Sequence, residues 1–437
     1  MNARAALRNL KLAAPANDDA FAESYPIAVF ICAIGYFLHI LVSGPVLNIL
    51  GINYGSDDSG LLGRIHPGSY LVILSMLVLL CSRRNPIEQT IRIARQHTAF
   101  FSLLVIYILI IIYWVLRGPR GVGMIVDVHI VMPICAIVFS YAPRLWYKPI
   151  VYLFATLAVA NSVIGLVEAA THMRLFPFDP EWEVLQQDYF RASALMGHPL
   201  VNAIFNGTSL FALLCLRMPG LLKSLIFMVM LAAMVAFGGR SALTVTLAGL
   251  VILGMIECWK YFMSRGMSVL RLASLFLALL LIPAVCGGLL YGVMHSGIGE
   301  RLMAYDSLED DSASVRLASI SVVNFMTTDD IIFGMDGDQI AAIGQHAGIG
   351  APTSDIENPW ILMFMFLGAL IFPIWLCGLF CCMWRLMSGA PPALKIGLIA
   401  YFCMSSTSNS FGRKDPVYML LPGIIVCIKR LKEQKKI

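Results

Sequence analysis

Charge is what this chain has least of. Asp, Glu, Lys and Arg supply 13% of its 437 residues, against 59% hydrophobic residues and a mean hydropathy of +0.80. A soluble body of this length has no interior able to hide so much apolar surface. The composition therefore excludes one and points to an all-α, polytopic membrane protein. Familiar catalytic motifs are also missing: there is no P-loop, no GxSxG elbow and no HExxH pair. No extended basic surface falls in the segments assigned outside, so nucleic acid is not an expected partner. The eleven cysteines lie within or at the cytoplasmic ends of the apolar runs and form no CxxC pair, which excludes a disulfide framework. Adjacent Cys381 and Cys382 are read as packing residues. Residues 1–25 are polar and hold Asp18, Asp19 and Glu23, and the apolar run that follows is too long for a signal-peptide core, so no cleaved leader is expected.

What is present is a series of apolar runs, at roughly 26–50, 66–82, 98–116, 122–142, 149–170, 195–216, 222–238, 241–258, 269–293, 358–384, 393–411 and 416–428. These make about twelve spans. With the N-terminus inside, the inner segments carry Arg83, Arg84, Arg92 and Arg95, then Arg144 and Lys148, Arg217 and Lys223, Lys260, Arg265 and Arg271, Arg385 and Lys395, and the lysines after 428. Every inner segment is basic, as the positive-inside rule requires, and an even number of spans leaves both termini cytoplasmic. The acid-rich interruption 294–357, between the ninth and tenth runs, then falls outside as a large periplasmic loop with short helices of its own. No internal repeat is visible, and residues 1–437 read as a single domain.

Several polar positions stand out along the way. Ser43-Gly44-Pro45 marks a kink or helix end. Asp127 and His129 sit inside the fourth run; Asp127 either pairs with Arg117 or Arg120 or serves a site, as intramembrane ionisable groups often do. Glu168 and His172, at the outer end of the fifth run, read as interfacial residues. Arg191 stands just outside the sixth run, with Gly197-His198-Pro199 in its first turns. Arg240 follows Gly238-Gly239, and Ser241 is a candidate cap for the next helix. In the large loop, Ser312 or Ser314 can cap a helix carrying Arg316 to about Thr327. Asp329-Asp330 is expected to end it, before a glycine-rich polar run to Glu357. Asp336-Gly337-Asp338 lacks the remaining ligands of a calcium loop, and no metal is expected there.

Two roles fit the outer arginines Arg191, Arg240 and Arg316: holding an anion with the planar guanidinium fork, or pairing with outer acids and lipid phosphates. Two roles likewise fit Glu357. Beside Pro359 and Trp360 at the membrane rim its pKa would be raised by desolvation, which suits a general base, with Asn358 orienting it or a substrate. A carboxylate there also favours the dipole of the next helix.

Taken in order, these parts resemble the superfamily of bacterial O-antigen polymerases and O-antigen ligases. The likeness runs from Tyr189 to about Gly368 and rests on Arg191 ahead of Gly197-His198-Pro199, the Gly238-Gly239-Arg240-Ser241-Ala242 turn, the Arg316 helix, and Glu357-Asn358 before the tenth run. The resemblance implies a metal-independent inverting glycosyltransferase without a cofactor, multi-pass in the bacterial inner membrane, with its active site facing the periplasm. Its donor and acceptor would be oligosaccharides on undecaprenyl diphosphate. Arg191, Arg240 and Arg316 would hold the donor diphosphate and Glu357 would activate the acceptor hydroxyl, with His198, Arg120 and Asp127 in support. A chain-length regulator is the partner protein it implies. Ligases of the superfamily typically show His-Asn where this chain has Glu357-Asn358. That departure favours a polymerase of O-antigen, capsule or exopolysaccharide repeats, and an acid in a comparable loop also resembles the shape–elongation–division glycosyltransferases. The alternatives are a ligase, or other transferase to lipid or protein, and a polysaccharide transporter or flippase.

Overall fold

A computed structural model of the chain describes residues 24–52, 54, 63–117, 122–176, 190–265, 319–347, 356, 358–407 and 414–434. The described residues are helical, with no strand among them. In chain order the helices are α1 (Pro26–Leu41), α2 (Gly44–Ile49), α3 (Pro67–Leu80), α4 (Pro86–Gln96), α5 (Thr98–Arg117), α6 (Val122–Ser140), α7 (Tyr147–Thr171), α8 (Pro199–Leu214), α9 (Gly220–Ala236), α10 (Arg240–Arg265), α11 (Thr328–Phe333), α12 (Gly337–His346), α13 (Pro359–Met387), α14 (Pro392–Ser405) and α15 (Pro416–Glu433). Five of them, α5, α6, α7, α10 and α13, are long and apolar enough to cross a membrane. The run at 269–293, Arg120, Arg316 and Glu357 lie outside the described residues.

Local chemistry sets the helix starts. Proline opens α1, α3, α4, α8, α13 and α15, where its missing N–H costs nothing. Asn85, Asn358 and Asp415 cap α4, α13 and α15 with side-chain oxygens. Small residues then let helices approach. A Cβ on Gly35 of α1 would lie 2.5 Å from the Gly68 carbonyl oxygen of α3, and one on Gly397 of α14 would lie 2.6 Å from the Phe211 side chain of α8. Two helices are irregular. Ile125–Ile130 within α6 is wound as a π-helix, and α13 breaks at Gly368, whose φ of 65° suits glycine alone. At that break α11 docks: Gly334 packs on Gly368, Met335 N donates to the Met365 carbonyl at 2.7 Å, and Tyr113 of α5 donates to the Phe333 carbonyl.

The segment 319–347 corrects the expected loop. Asp329-Asp330 opens a helix instead of ending one. Thr327 and Asp330 form a reciprocal capping box, and the acids of the first turn favour the helix dipole. Asp336 and Gln339 build a second capping box on α12, where a glycine-rich connector was expected. In Asp336-Gly337-Asp338, the Asp336 Oδ1 thus serves a helix start.

At one end of the bundle, helix ends gather basic residues. Lys429 of α15 donates to the Arg385, Leu386 and Ser388 carbonyls at the end of α13. His97, between α4 and α5, packs against Ser140, with Nε2 to Oγ 3.1 Å, and against the Tyr141 ring. Burial, helped by the Arg430 and Arg385 charges, pushes its pKa down to about 4. The folded state thus holds His97 neutral, while the unfolded chain protonates near 6.5. Its contribution to stability is complete above about pH 6.5 and is lost as pH falls towards 4. Melting followed by tryptophan fluorescence in detergent should therefore show a smaller loss between pH 6.5 and 4 for His97→Gln than for the parent; equal losses would remove His97 from the account.

Candidate functional site

The segment Phe190–His198 bridges towards α8 as an irregular stretch, and its backbone is held almost entirely by side chains from α7 and α8. Glu168 of α7 is fully buried. Its Oε1 accepts from Leu175 N at 2.9 Å and Phe176 N at 3.1 Å, and its Oε2 from Ser193 N at 2.8 Å and Ala194 N at 2.9 Å. One carboxylate thus pins both ends of the polypeptide between α7 and the Arg191 segment. Asn161 accepts from Leu195 N at 3.0 Å. Asn202 donates to the Ser193 and His198 carbonyls and accepts from Met196 N. Ala194 has a φ of 38°, a conformation that non-glycine residues rarely adopt. It persists because its own N–H and those of its neighbours are fixed from outside.

Glu168 is therefore no interfacial bystander. Its signal in the sequence, one acid at a helix end, does not distinguish an exposed carboxylate from one that four backbone donors neutralise. Gly197-His198-Pro199 also sits differently from expectation. The helix begins at Pro199, His198 is its N-cap residue, and Gly197 (φ 68°) makes the turn before it.

Arg191 is buried, at 6% exposure. Its Nε donates to the Phe237 carbonyl at 3.2 Å, and Ala192 N donates to the Ala236 carbonyl at 3.3 Å. This joins the segment to the end of α9, where Gly238 (φ 66°) turns the chain and Arg240 opens α10. A Cβ on Gly239 would lie 2.4 Å from the Ala203 Cβ of α8, so only glycine lets the turn lie this close. Arg191 thus bonds to the turn that leads, three residues on, into Arg240. Ser241 falls inside α10, where its hydroxyl accepts from Thr407 at 2.9 Å instead of capping.

Thr407 in turn leads to α13. Its neighbour Ser406 accepts from Trp360 Nε1 at 2.8 Å, two residues after Asn358. Asn358 thus lies at the same end of the bundle as Arg240. Its Oδ1 accepts from Trp360 N and Ile361 N, so that oxygen serves the helix start and only the amide NH2 remains for another partner.

Asp127 belongs to a neighbouring cluster. It is buried in the π-helical turn of α6 and accepts from Tyr54 Oη at 2.8 Å, His66 N at 2.9 Å and Ser69 Oγ at 2.6 Å. Neutral donors therefore hold it, while the Arg117 side chain and Arg120, the expected partners, lie outside the described residues. Ser69 continues to His39 Nε2 at 3.1 Å, and the His39 and His66 rings stack with centroids 3.9 Å apart. Lys414 lies 3.9 Å over the Tyr54 ring and donates to the Arg64 carbonyl. Burial lowers the Lys414 pKa, against the opposing pull of Asp127, and Arg64 lowers it further. This cluster meets the Arg191 segment at α2: His66 Nε2 contacts the Val42 carbonyl at 2.7 Å, and a Cβ on Gly197 would lie 2.8 Å from Ser43 Oγ. Sequence reading missed its members Tyr54, Ser69 and His39, which are individually ordinary residues.

Chemically, the buried Arg191 guanidinium, bonded to a turn that leads into a second arginine, supplies positive charge suited to an anion. No group of three or more potential metal ligands occurs among the described residues. No protein-family model matches this chain, and no curated protein matches it in sequence.

Proposed function

We propose that this protein is a polymerase of lipid-linked polysaccharide repeat units, related to the O-antigen polymerase and ligase superfamily that its motifs resemble. In this reading it crosses the bacterial inner membrane about twelve times with both termini in the cytoplasm. The loop 294–357 and the Arg191–Arg240 turn then face the periplasm. The observation that carries the reading is that Arg191 is bonded to the turn leading into Arg240, which is tied through Ser241, Thr407, Ser406 and Trp360 to the helix that Asn358 caps.

The reaction needs little else. An acceptor hydroxyl attacks the anomeric carbon of the donor glycan. The carbon–oxygen bond to undecaprenyl diphosphate breaks, and its electron pair leaves on the diphosphate. Arg191 and Arg240, joined by Arg316, stabilise that growing charge, and Glu357 takes the hydroxyl proton. One displacement inverts the anomeric centre. The exposed apolar groove between α5 and α13, lined by Ser102, Ile106, Pro373, Ile374 and Cys377, offers a surface for a polyprenyl tail.

Reconstitution in liposomes with an undecaprenyl-diphosphate-linked repeat tests the reading. Glycans of increasing length, with release of undecaprenyl diphosphate, are the expected result. Transfer of single units to a lipid acceptor without lengthening would make the protein a ligase. Movement of the donor across the bilayer without release of lipid diphosphate would make it a transporter. Within the polymerase reading, Glu357→Gln should lower the rate of lengthening by roughly a hundredfold or more, the contribution of a general base, while the melting temperature stays unchanged. Full activity in that variant would leave Glu357 as an acid at a helix start.

A further inference from the structure

At the basic end of the bundle, the start of α7, the end of α8 and the end of α15 enclose a narrow crevice. Its floor is apolar, with Leu216, Ile428 and Leu431 all buried. Its rim carries Lys148, Arg217 and Lys432. Tyr152 closes one side, donating to the Arg217 carbonyl at 3.2 Å. Among the described residues no carboxylate pairs with these three cations; the nearest acid on α15, Glu433, is taken by Arg430 at 3.2 Å. Arg217 and Lys432 follow or end helices whose C-terminal dipole favours them. Lys148 is the anomaly. It stands in the first turn of α7, where the dipole disfavours a cation, and that helix start has neither a side-chain cap nor an acid in its first turn.

Three like charges around one crevice, one of them at the unfavourable end of a helix, are jointly satisfied by an anion seated between them. The surroundings say how that anion is delivered. Leu145 beside α7 is 86% exposed and Leu221 of α9 is 85% exposed, so large apolar side chains flank the basic rim. Such a margin fits the boundary between lipid headgroups and tails. We propose that Lys148, Arg217 and Lys432 form a binding site for the phosphate diester of an anionic bilayer phospholipid. Tyr152 borders the headgroup, and the acyl chains run along the apolar flank. The site is independent of the glycan chemistry at the other end of the bundle.

The experiment uses the full chain in neutral detergent, with bound phosphatidylglycerol and phosphatidylcholine counted by native mass spectrometry. Phosphatidylglycerol should be retained preferentially, and Arg217→Gln with Lys432→Gln should weaken that retention by roughly tenfold or more, since each basic residue near a membrane surface contributes about 1 kcal/mol. Glutamine removes the charge but keeps a polar, unbranched side chain, and an unchanged melting temperature shows that the pair folds. Arg83→Gln with Arg84→Gln, at another basic stretch, should leave retention unaltered. Equal retention of the two lipids, or an equal loss in both pairs, would overturn the site. Displacement of the lipid by millimolar inorganic phosphate would overturn its assignment to a lipid headgroup.

Discussion

Alanine at Arg191 or at Arg240 is expected, in the polymerase reading, to lower the rate of glycan lengthening by roughly a hundredfold to a thousandfold, the range for removing one donor from a developing anion. The two positions should behave differently towards lysine. Arg240 opens α10 and is half-buried, so Arg240→Lys keeps a cation near the turn and should recover part of the rate. Arg191 uses its Nε to hold the Phe237 carbonyl. A lysine ammonium has no second arm with which to make that bond and still face an anion, so Arg191→Lys should remain close to the alanine variant. The measurement is lengthening of a lipid-linked repeat by protein in liposomes, normalised to inserted protein. Alanine variants with full activity at both positions would remove the diphosphate role from this turn. Equal recovery by lysine at both would remove the division of labour within Arg191.

The second large effect is expected at Glu168. Replacing it by alanine strands two buried backbone donors, those of Ser193 and Ala194, and frees two part-buried ones, those of Leu175 and Phe176. An unsatisfied buried donor costs about 1–3 kcal/mol, so the loss should reach about 2 kcal/mol or more and accumulation of folded protein should fall. Glu168→Gln is the more informative variant. It keeps the shape and one accepting oxygen but turns an NH2 group towards two of the four donors. The protein should insert and melt several degrees lower, with the Arg191 segment released from its strained path at Ala194. In the polymerase reading, donor KM rises more than kcat falls, because the segment that presents Arg191 loses its anchor. A glutamine variant with parental melting and parental kinetics would show that the four bonds hold nothing of consequence.

The two kinds of residue differ in how far the sequence announces them. Helix positions were legible because their causes are local: long apolar runs, proline at the first position of α1, α3, α8, α13 and α15, and a capping side chain ahead of several of them. Arg191 and Arg240 were legible as candidates because arginine in a short outer segment runs against the usual bias. The bonding of Arg191 to the turn before Arg240 was not, since it depends on Ala192 pairing with Ala236 and on Gly239 clearing Ala203. Glu168, Asn161 and Asn202 were invisible for a related reason. Their partners are backbone N–H and C=O groups, which every residue carries and no motif records. The segment after Met326 was misjudged because Thr327, read as the end of a helix, and Asp336, weighed as a calcium ligand, are helix caps with their partners three residues on.

The π-wound turn of α6 fixes a phase. Six residues with that pattern accommodate one residue more than an ordinary helix would over the same rise. Each residue of a regular helix advances the side chains by about 100°, so the faces before and after Ile125–Ile130 are offset by about that angle. Within the turn Asp127 meets Tyr54 and Ser69 of α3, while His129, two positions on and so on roughly the opposite side of the helix, meets Tyr107 of α5, Trp375 of α13 and Tyr418 of α15. Removing one residue from this stretch would regularise the helix and turn the face presented by Val131–Ser140 by about 100° relative to Val122–Met124. The irregular turn therefore works as a register shim between the two ends of one helix.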